Sequence, residues 1–319
     1  MKKFLLIISL IYIVIMSGYR LFDFVYGVEY FSNKSFKEFV LSDEQYKQEI
    51  IRDSQIKDLK EEHLTSIVGP YELAKFIKDN DKKPQIYHPS MENRINKIFQ
   101  ANFHSHTTNS DGQVSVQEML DMANEYAQKI APKYFYLAIT DHNNMKTGKD
   151  IIEILYKNPE KYKKLKLVLG LEVFSAMEPK KFIVKKPIDI HVVSLAINPY
   201  DEELNNVFYN RNNGMHNYSY RTFENAISLL NKKGLVGVAH PARYIGKNNI
   251  PNYKIYIVYL YQKYKYLTRK GFSFTEAYYQ SYSNEKEEII EFIKKTCKTF
   301  KINQSGSIDN HGKSFFRKK

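Results

Sequence analysis

Along the last two thirds of the 319-residue chain, short apolar runs recur that end in a histidine or a carboxylate. Helical patterns separate several of these runs. The apolar runs predict strands at residues 98–104, 134–139, 165–171, 188–197, 235–239 and 300–303. The runs are apolar on both faces, which favours a parallel sheet covered by helices. Polar residues at the ends of such strands are typical of an α/β barrel, because the active site of a barrel lies at that rim. The sequence therefore predicts a parallel barrel.

The segments between these strands carry helix and loop signals. Helices are predicted at residues 115–130, 150–164, 222–232 and 285–298, and the first begins with a capping box formed by Ser115 and Glu118. Residues 176–186 are predicted to be a loop. Residues 242–284, dense in Tyr and Lys, are interpreted as one or two helices that cover the barrel mouth. Such a segment could grip single-stranded nucleic acid by stacking and charge, although an amphipathic surface helix explains the same pattern.

Most of the nine histidines lie at predicted strand ends, within a strand or in the final loop. A lone histidine at a strand end is usually a hydrogen-bonded rim residue. Here six histidines coincide with three carboxylates at corresponding places, which indicates a metal site instead. The single cysteine, Cys297, excludes a Cys-based zinc cluster and a disulfide framework. The candidate ligands are His104, His106, Asp111, His142, Glu172, His191, His240, Asp309 and His311.

From about residue 100 to residue 312 the chain resembles the PHP (polymerase and histidinol phosphatase) family. The matching motifs are His104-x-His106 with Ser110-Asp111-Gly112, Thr140-Asp141-His142, Gly170-Leu171-Glu172, Ile190-His191, Ala239-His240-Pro241 and Asp309-x-His311. The resemblance implies a distorted (β/α)7 TIM-like barrel with two or three divalent metal ions, whether Zn, Mn or Fe. It also implies hydrolysis of phosphoric esters.

The resemblance also suggests how the ligands are divided. One ion would be held by His104, His106, Glu172 and Asp309, a second by Glu172, His191 and His240, and a third by Asp111, His142 and His311. Asp141 is expected to orient an imidazole rather than to bind metal. One departure is Ile308, which stands between Ser307 and Asp309, where family members usually have Gly-Ser-Asp-x-His, and it predicts a reshaped loop.

Arginines near the metal motifs are candidates for gripping phosphate, because a planar guanidinium matches two phosphate oxygens. Arg243, directly after His240-Pro241-Ala242, is the first candidate, and Arg221 is a weaker one. A surface salt bridge is the alternative for each. His216 is not expected to be a ligand.

The N-terminus has the charged start and apolar centre of an export signal, with Lys2 and Lys3 before the apolar run 4–16. This run is shorter than the ~20 residues that span a bilayer. Residues 1–27 are therefore predicted to be a signal-anchor or a cleaved signal peptide, with a soluble helix as the alternative. Residues 28–95 are predicted to be a helical segment and linker, and residues 96–319 the PHP domain. Export would place the protein in the cell envelope, anchored to the membrane or released, with membrane association through residues 4–27.

The formal net charge of +13 would attract phosphate-bearing partners. The predicted function is a metal-dependent phosphoesterase that acts on a phosphomonoester or phosphodiester, either a small molecule or an oligonucleotide. A metal-activated water would be the nucleophile. An exported nuclease and a non-catalytic metal-stabilised binding module are the alternatives. No protein partner is predicted.

Overall fold

The computed structural model describes residues 41–80, 100–129, 133–177, 188–208, 221–241, 264, 267, 273–279 and 287–312. Its helices are α1 (Asp43–Asp53), α2 (Pro70–Asp79), α3 (Val116–Lys129), α4 (Lys146–Lys157), α5 (Glu202–Phe208), α6 (Phe223–Leu230) and α7 (Glu287–Phe300), with a 3-10 helix at Glu61–Leu64. Its strands are β1 (Ala101–Asn102), β2 (Phe135–Ile139), β3 (Leu165–Met177), β4 (Ile188–Leu195), β5 (Arg221–Thr222), β6 (Leu235–Val238), β7 (Ser273–Tyr279) and β8 (Asn303–Ser307). The fold class is α/β, as predicted.

The strands follow one another around a single sheet in the order β1-β2-β3-β4-β6-β7-β8, and the short β5 pairs with β3. The two ends of the sheet approach each other just beyond β1 and β8, where the N–H of His106 donates to the carbonyl of Asn310 at 2.9 Å. Asn102 supports this seam, because its Oδ1 accepts a hydrogen bond from the N–H of Ile308 at 3.0 Å. The described strands therefore form a nearly closed barrel, and the predicted TIM-like architecture is confirmed at this level.

Strand β4 corrects the prediction of a fully parallel barrel. Strands β1, β2 and β3 run parallel to one another, and so do β6, β7 and β8, but β4 is antiparallel to both β3 and β6. Only residues 178–187 separate β3 from β4. A parallel crossover takes about a dozen residues or more, usually with a helix, so a connection of this length favours an antiparallel pair. The barrel is therefore not fully parallel, and its reversed strand, β4, carries His191.

The prediction of helices throughout residues 242–284 is wrong at its C-terminal end. Strand β7 lies there, between β6 and β8, whereas Tyr264 and Leu267 are helical and buried. The remaining residues of 242–272 lie outside the described residues. The described side chains of this strand, Phe274 through Ala277, are all buried, and polar and apolar residues do not alternate along them. Without that alternation, sequence periodicity cannot identify a strand.

Two other predicted strand limits also shift. Strand β3 continues past Glu172 to Met177, so Glu172 lies within a strand and not after its end. The last strand begins at Asn303, and Phe300, predicted to open it, is the last residue of α7. Backbone pairing decides both limits, because the extension of β3 is paired residue by residue with β4.

The capping box predicted before α3 is confirmed. The N–H of Ser115 donates to Glu118 Oε2 at 2.7 Å, and the N–H of Glu118 donates to Ser115 Oγ at 3.2 Å. The helix buries the apolar face that its 3.6-residue period predicts, which comprises Val116, Met119, Leu120, Ala123 and Ala127. This face packs in the core that includes β1 and β2.

Residues 41–80 pack directly on the barrel and share its hydrophobic core. Tyr46 and Ile50 of α1 and Ile77 of α2 are buried with residues of β1, β2 and β3. The hydroxyl of Tyr46 donates to the carbonyl of Ile197 at 2.9 Å, and the N–H of Val68 donates to the carbonyl of Leu167 at 2.9 Å. Helix α2 begins with Pro70, and Asp43 accepts hydrogen bonds from its first N–H groups.

Among the described residues, no helix has both the length and the apolar character needed to cross a membrane. The predicted signal-anchor or signal peptide, residues 1–27, lies outside the described residues.

Candidate metal centre

The structure brings all nine predicted ligand residues together at one end of the barrel. His104, His106 and Asp111 follow β1, His142 follows β2, and Glu172 and His191 lie within β3 and β4. His240 follows β6, and Asp309 and His311 follow β8. Strands from around the whole barrel therefore contribute to one cluster of imidazoles and carboxylates.

Glu172 lies at the centre of the cluster and is completely buried. Its Oε2 is 2.9 Å from His104 Nε2, 3.2 Å from His106 Nε2 and 3.0 Å from His142 Nδ1. Its Oε1 is 2.6 Å from His191 Nδ1 and 3.0 Å from His240 Nε2. The two oxygens thus face different sets of imidazoles, which is the arrangement a carboxylate needs in order to bridge two cations.

The innermost ligand group consists of His104, His106 and Asp309 around Glu172 Oε2. The Nε2 atoms of His104 and His106 lie 3.0 Å apart, and Asp309 Oδ1 is 3.5 Å and 3.1 Å from them. Both imidazoles are completely buried. Asp309 has a φ of 50°, in the left-handed region that Asp adopts more readily than most residues with a side chain.

The outer ligand group consists of Asp111, His142 and His311 and is the part of the centre nearest to solvent. The side chains of Asp111 and His311 are each 29% exposed, and His311 Nε2 lies 3.0 Å from Asp111 Oδ2. The other ring nitrogen of His311 donates to the carbonyl of Asp309 at 3.0 Å, because a carbonyl oxygen can only accept. This hydrogen bond leaves the Nε2 of neutral His311 with its lone pair towards Asp111.

His106 and His142 each lie between two groups. His106 directs Nε2 towards the inner group and Nδ1 towards Asp111, 3.6 Å away. His142 directs Nδ1 towards Glu172 and Nε2 towards Asp111, also 3.6 Å away. Potential ligand atoms accordingly cluster in three overlapping groups, which are His104, His106 and Glu172; His142, Glu172 and His191; and His106, Asp111, His142 and His311. The division by ions that the resemblance suggests remains a prediction.

The spacing of these atoms fits divalent cations. Two ligand atoms that bind one ion at about 2.1 Å stand about 3.0 to 3.4 Å apart, depending on whether the geometry is octahedral or tetrahedral. The distances within the inner group, 2.9 to 3.5 Å, match these values. His142 Nδ1 is buried and close to Glu172 Oε2 without being aligned for a hydrogen bond, as expected for two atoms directed at a common ion.

The ionisation of the cluster points to the same conclusion. Burial alone would lower the pKa of His142, but the carboxylates beside it, chiefly Glu172, raise it to about 9. Burial alone would raise the pKa of Glu172, but the surrounding histidines, first His104, hold it well below its usual range. Burial dominates at His191 and lowers its pKa to about 4. In the metal-free protein, protons on the imidazoles balance the buried carboxylates, and divalent cations can take over that role.

A family model for the PHP domain matches residues 102–309 of the chain. The chain belongs to the PHP family. The match confirms the resemblance found in the motifs, and its limits enclose eight of the nine candidate ligands, with His311 two residues beyond. A comparison with curated proteins finds no match. Membership of the family and the buried His, Asp and Glu cluster together fit a metal-dependent hydrolase.

Asp141 of the PHP domain has a different contact from the predicted one. It is completely buried and accepts hydrogen bonds from the N–H and the hydroxyl of Thr107, at 2.7 and 2.6 Å, and from the hydroxyls of Ser110 and Thr147. Its carboxylate therefore fixes the loop that carries Asp111 and does not orient an imidazole.

Gly112 completes that loop of the PHP domain. A Cβ at this position would lie 2.2 Å from the carbonyl oxygen of His106 and 2.6 Å from the nitrogen of Thr107. The N–H of Gly112 donates to the carbonyl of Thr107 at 2.9 Å. The motif Ser110-Asp111-Gly112 is thus a tight turn whose last position has no room for a side chain.

Ile308, the insertion before Asp309, is accommodated at the seam of the barrel. The residue is buried and its N–H donates to Asn102 of β1. Strand β8 ends at Ser307, so the insertion lies in the turn that leads to Asp309. Asp309 still reaches the cluster, and the reshaping of this loop relative to other family members stays a prediction.

The sequence interpretation missed Glu276 of β7, a completely buried carboxylate beside the ligands. Its Oε1 lies 2.9 Å from His104 Nδ1, and its Oε2 accepts the N–H of His240 at 2.7 Å. The available signal was the run from Ser273 to Tyr279, in which three of seven residues are aromatic and one is Thr, a composition that favours a strand. Arg243 and His216 lie outside the described residues, and Arg221 is described only as backbone in β5.

Proposed function

We propose that the protein is a phosphoesterase that hydrolyses a phosphomonoester or a phosphodiester with water as the nucleophile and divalent cations as cofactors. The observation that carries the proposal is the position of Glu172, whose two oxygens face two separate sets of imidazoles. This arrangement suits two neighbouring cations, which is a common basis for hydrolysis of phosphate esters.

When bound, divalent cations supply Lewis acidity, which lowers the pKa of water to about 7 and neutralises phosphoryl oxygens. Carboxylates of the protein supply the negative charge that would hold these cations. Glu172 and Asp309 have pKa values held well below their usual range by the histidines around them, chiefly His104, despite the opposing effect of burial. They are therefore ionised at neutral pH and available as ligands.

The outer group marks the side from which a substrate can enter. Asp111 and His311 are partly exposed, whereas His104, His106 and Glu172 have no exposed surface. An anionic ester would approach a chain of net charge +13, which favours its encounter with the site. We place Arg243 among the groups that hold the phosphate, because it follows His240 by three positions and its guanidinium can donate to two oxygens.

The basic charge is also the observation that favours a nuclease as the second candidate, since nucleic acids are polyanions. In either case the proposal includes export or membrane anchoring through residues 4–27, supported by Lys2, Lys3 and the apolar run after them. Fractionation of cells that express the full chain tests this part. Recovery of intact chain in the cytosolic fraction alone would contradict it.

The test of activity uses the full chain, stripped of metal and then supplied with Mn²⁺, Zn²⁺ or Fe²⁺. The substrates are p-nitrophenyl phosphate, bis(p-nitrophenyl) phosphate and a short single-stranded oligonucleotide. We expect hydrolysis of at least one of them, dependent on added metal. A folded protein that binds metal and hydrolyses none of the three would overturn the proposal. Equal or lower rates on the oligonucleotide than on the simple esters would remove the nuclease.

The variant His191→Ala shows whether the metal centre is responsible. We expect a loss of at least about 100-fold in rate, because a cation stabilises the transition state by several kcal/mol. His63→Ala is the matched control, since the Nδ1 of His63 accepts the N–H of Lys60 in the N-terminal segment. It should retain the full rate. A His191→Ala variant with unchanged activity would place the reaction elsewhere in the chain.

A further inference from the structure

Glu276 is a buried carboxylate that contacts two candidate ligands from outside the ligand cluster. It lies in β7, between β6 and β8, and has no exposed surface. One of its oxygens meets the ring of His104 and the other meets the backbone of His240. These two histidines follow different strands, β1 and β6, so a single side chain connects two separate parts of the centre.

The contact with His104 determines which ring nitrogen carries the proton. A carboxylate oxygen beside a ring nitrogen accepts its N–H, so the geometry makes His104 Nδ1 the donor at 2.9 Å. In the neutral ring the lone pair then lies on Nε2. That atom faces Glu172 Oε2 at 2.9 Å and His106 Nε2 at 3.0 Å, in the inner ligand group. A lone pair on Nδ1 instead could not bind an ion in the inner ligand group, because Nδ1 points away from that group.

The contact with His240 acts on the backbone. His240 has a φ of 26°, which is costly for a residue with a side chain and persists only where the surroundings enforce it. Its N–H donates to Glu276 Oε2 at 2.7 Å. In this conformation His240 Nε2 reaches Glu172 Oε1 at 3.0 Å. Glu276 therefore helps to aim the second imidazole as well.

We propose that Glu276 is a positioning residue of the metal centre, which selects the Nε2 lone pair of His104 for metal and fixes the backbone of His240. The inference rests on the proposed metal centre but not on any particular substrate. Carboxylates that accept the outer N–H of a metal-binding histidine typically contribute about 10- to 100-fold to metal affinity.

Glu276→Gln is the decisive variant because glutamine has the same shape but only one accepting oxygen. Both partners of Glu276 are donors, so the amide NH₂ must oppose one of them. We expect zinc affinity, measured by competition with a chromogenic chelator, to fall by about 10- to 100-fold. We also expect the variant to remain folded, as judged by its circular dichroism spectrum.

Thr275→Val is the matched control on the same strand. Thr275 is completely buried, and its hydroxyl lies 2.7 Å from the hydroxyl of Tyr264, away from the ligand cluster. This substitution should lower the melting temperature and leave zinc affinity unchanged. Equal losses of zinc affinity in both variants would show that any weakening of β7 has the same effect, and would overturn the positioning role.

A spectroscopic measurement on the unmodified protein keeps the inference testable even if Glu276→Gln does not fold. Long-range ¹H–¹⁵N spectra of histidine-labelled, zinc-loaded protein should show His104 with its proton on Nδ1. A proton on Nε2 would overturn the inference. Failure of the unmodified protein to bind zinc, manganese or iron would instead overturn the metal centre and the proposed function, whereas normal binding with unchanged affinity in Glu276→Gln would overturn the positioning role alone.

Discussion

Substitution of Asp141 should separate the stability of the Asp111 loop from that of the rest of the barrel. In Asp141→Ala, the N–H of Thr107 loses its acceptor in a completely buried site, which costs about 1 to 3 kcal/mol. The hydroxyls of Thr107, Ser110 and Thr147 also lose their hydrogen-bond acceptor, which costs about 0.5 to 1.5 kcal/mol for each hydroxyl that gains no other acceptor. Because such terms are not additive, we expect a total of about 3 to 5 kcal/mol.

Asp141→Asn should cost less, for a reason visible in the hydrogen bonds. The asparagine oxygen can replace Oδ1 and accept from the N–H of Thr107 and the hydroxyl of Ser110. Its NH₂ then faces the hydroxyls of Thr107 and Thr147, which can accept as well as donate. The remaining loss of folding stability in Asp141→Asn comes from replacing hydrogen bonds to a charged group by neutral ones, and we expect it to be about 1 to 2 kcal/mol in total.

Urea unfolding of the metal-free full chain gives these differences, provided that the slope of the transition is the same in all variants. Asp150→Asn is the control, because Asp150 accepts from Asn109 of the same loop but is partly exposed, so it should change stability by less than about 0.5 kcal/mol. An alanine variant within about 1 kcal/mol of the unmodified protein would refute the reasoning, as would an asparagine variant less stable than the alanine one.

Two further predictions concern pH and the turn at Gly112. The metal-free protein should be most stable near pH 6.5. The pKa of His142 is raised to about 9, so the folding stability that its protonated form contributes is lost as pH rises from 6.5 towards 9. The pKa of His191 is lowered to about 4, so folding stability is lost as pH falls from 6.5 towards 4. Saturating metal should abolish the loss of stability above pH 6.5. Melting temperatures of the metal-free protein that rise steadily from pH 6.5 to 9 would contradict the predicted maximum. Gly112→Ala should cost about 1 to 3 kcal/mol and remove one bound ion per chain, because its Cβ would collide with the backbone of His106; unchanged metal stoichiometry by elemental analysis would show that the turn adapts.

The candidate ligands could be found from the sequence because each belongs to a short motif beside an apolar run. His104 and His106 are two positions apart on one chain segment, and His142 follows a strand that pairs with β1. Local sequence fixes such positions, and the parallel pairing of β1, β2 and β3 brings them to one edge. The family match, residues 102–309, agrees with this part of the interpretation.

Features that depend on distant pairing could not be predicted in this way. The direction of β4 follows from the shortness of residues 178–187, but its length alone does not reveal which neighbours it pairs with. Residues 274–277 of strand β7 are buried on both faces and do not alternate between polar and apolar types, so periodicity did not reveal the strand or Glu276 within it. The histidines that face two groups, His106 and His142, are defined by ring orientation, which sequence spacing does not determine.

The packing of residues 41–80 on the barrel has a consequence for the order in which the protein can fold. These residues leave the ribosome before any strand of the barrel, yet Tyr46 hydrogen-bonds to Ile197, 151 positions later, and Val68 to Leu167. During synthesis the N-terminal helices must therefore wait, with Ile50 and Ile77 unburied, until β3 and β4 have emerged. Contacts of such long range are closed late and slowly.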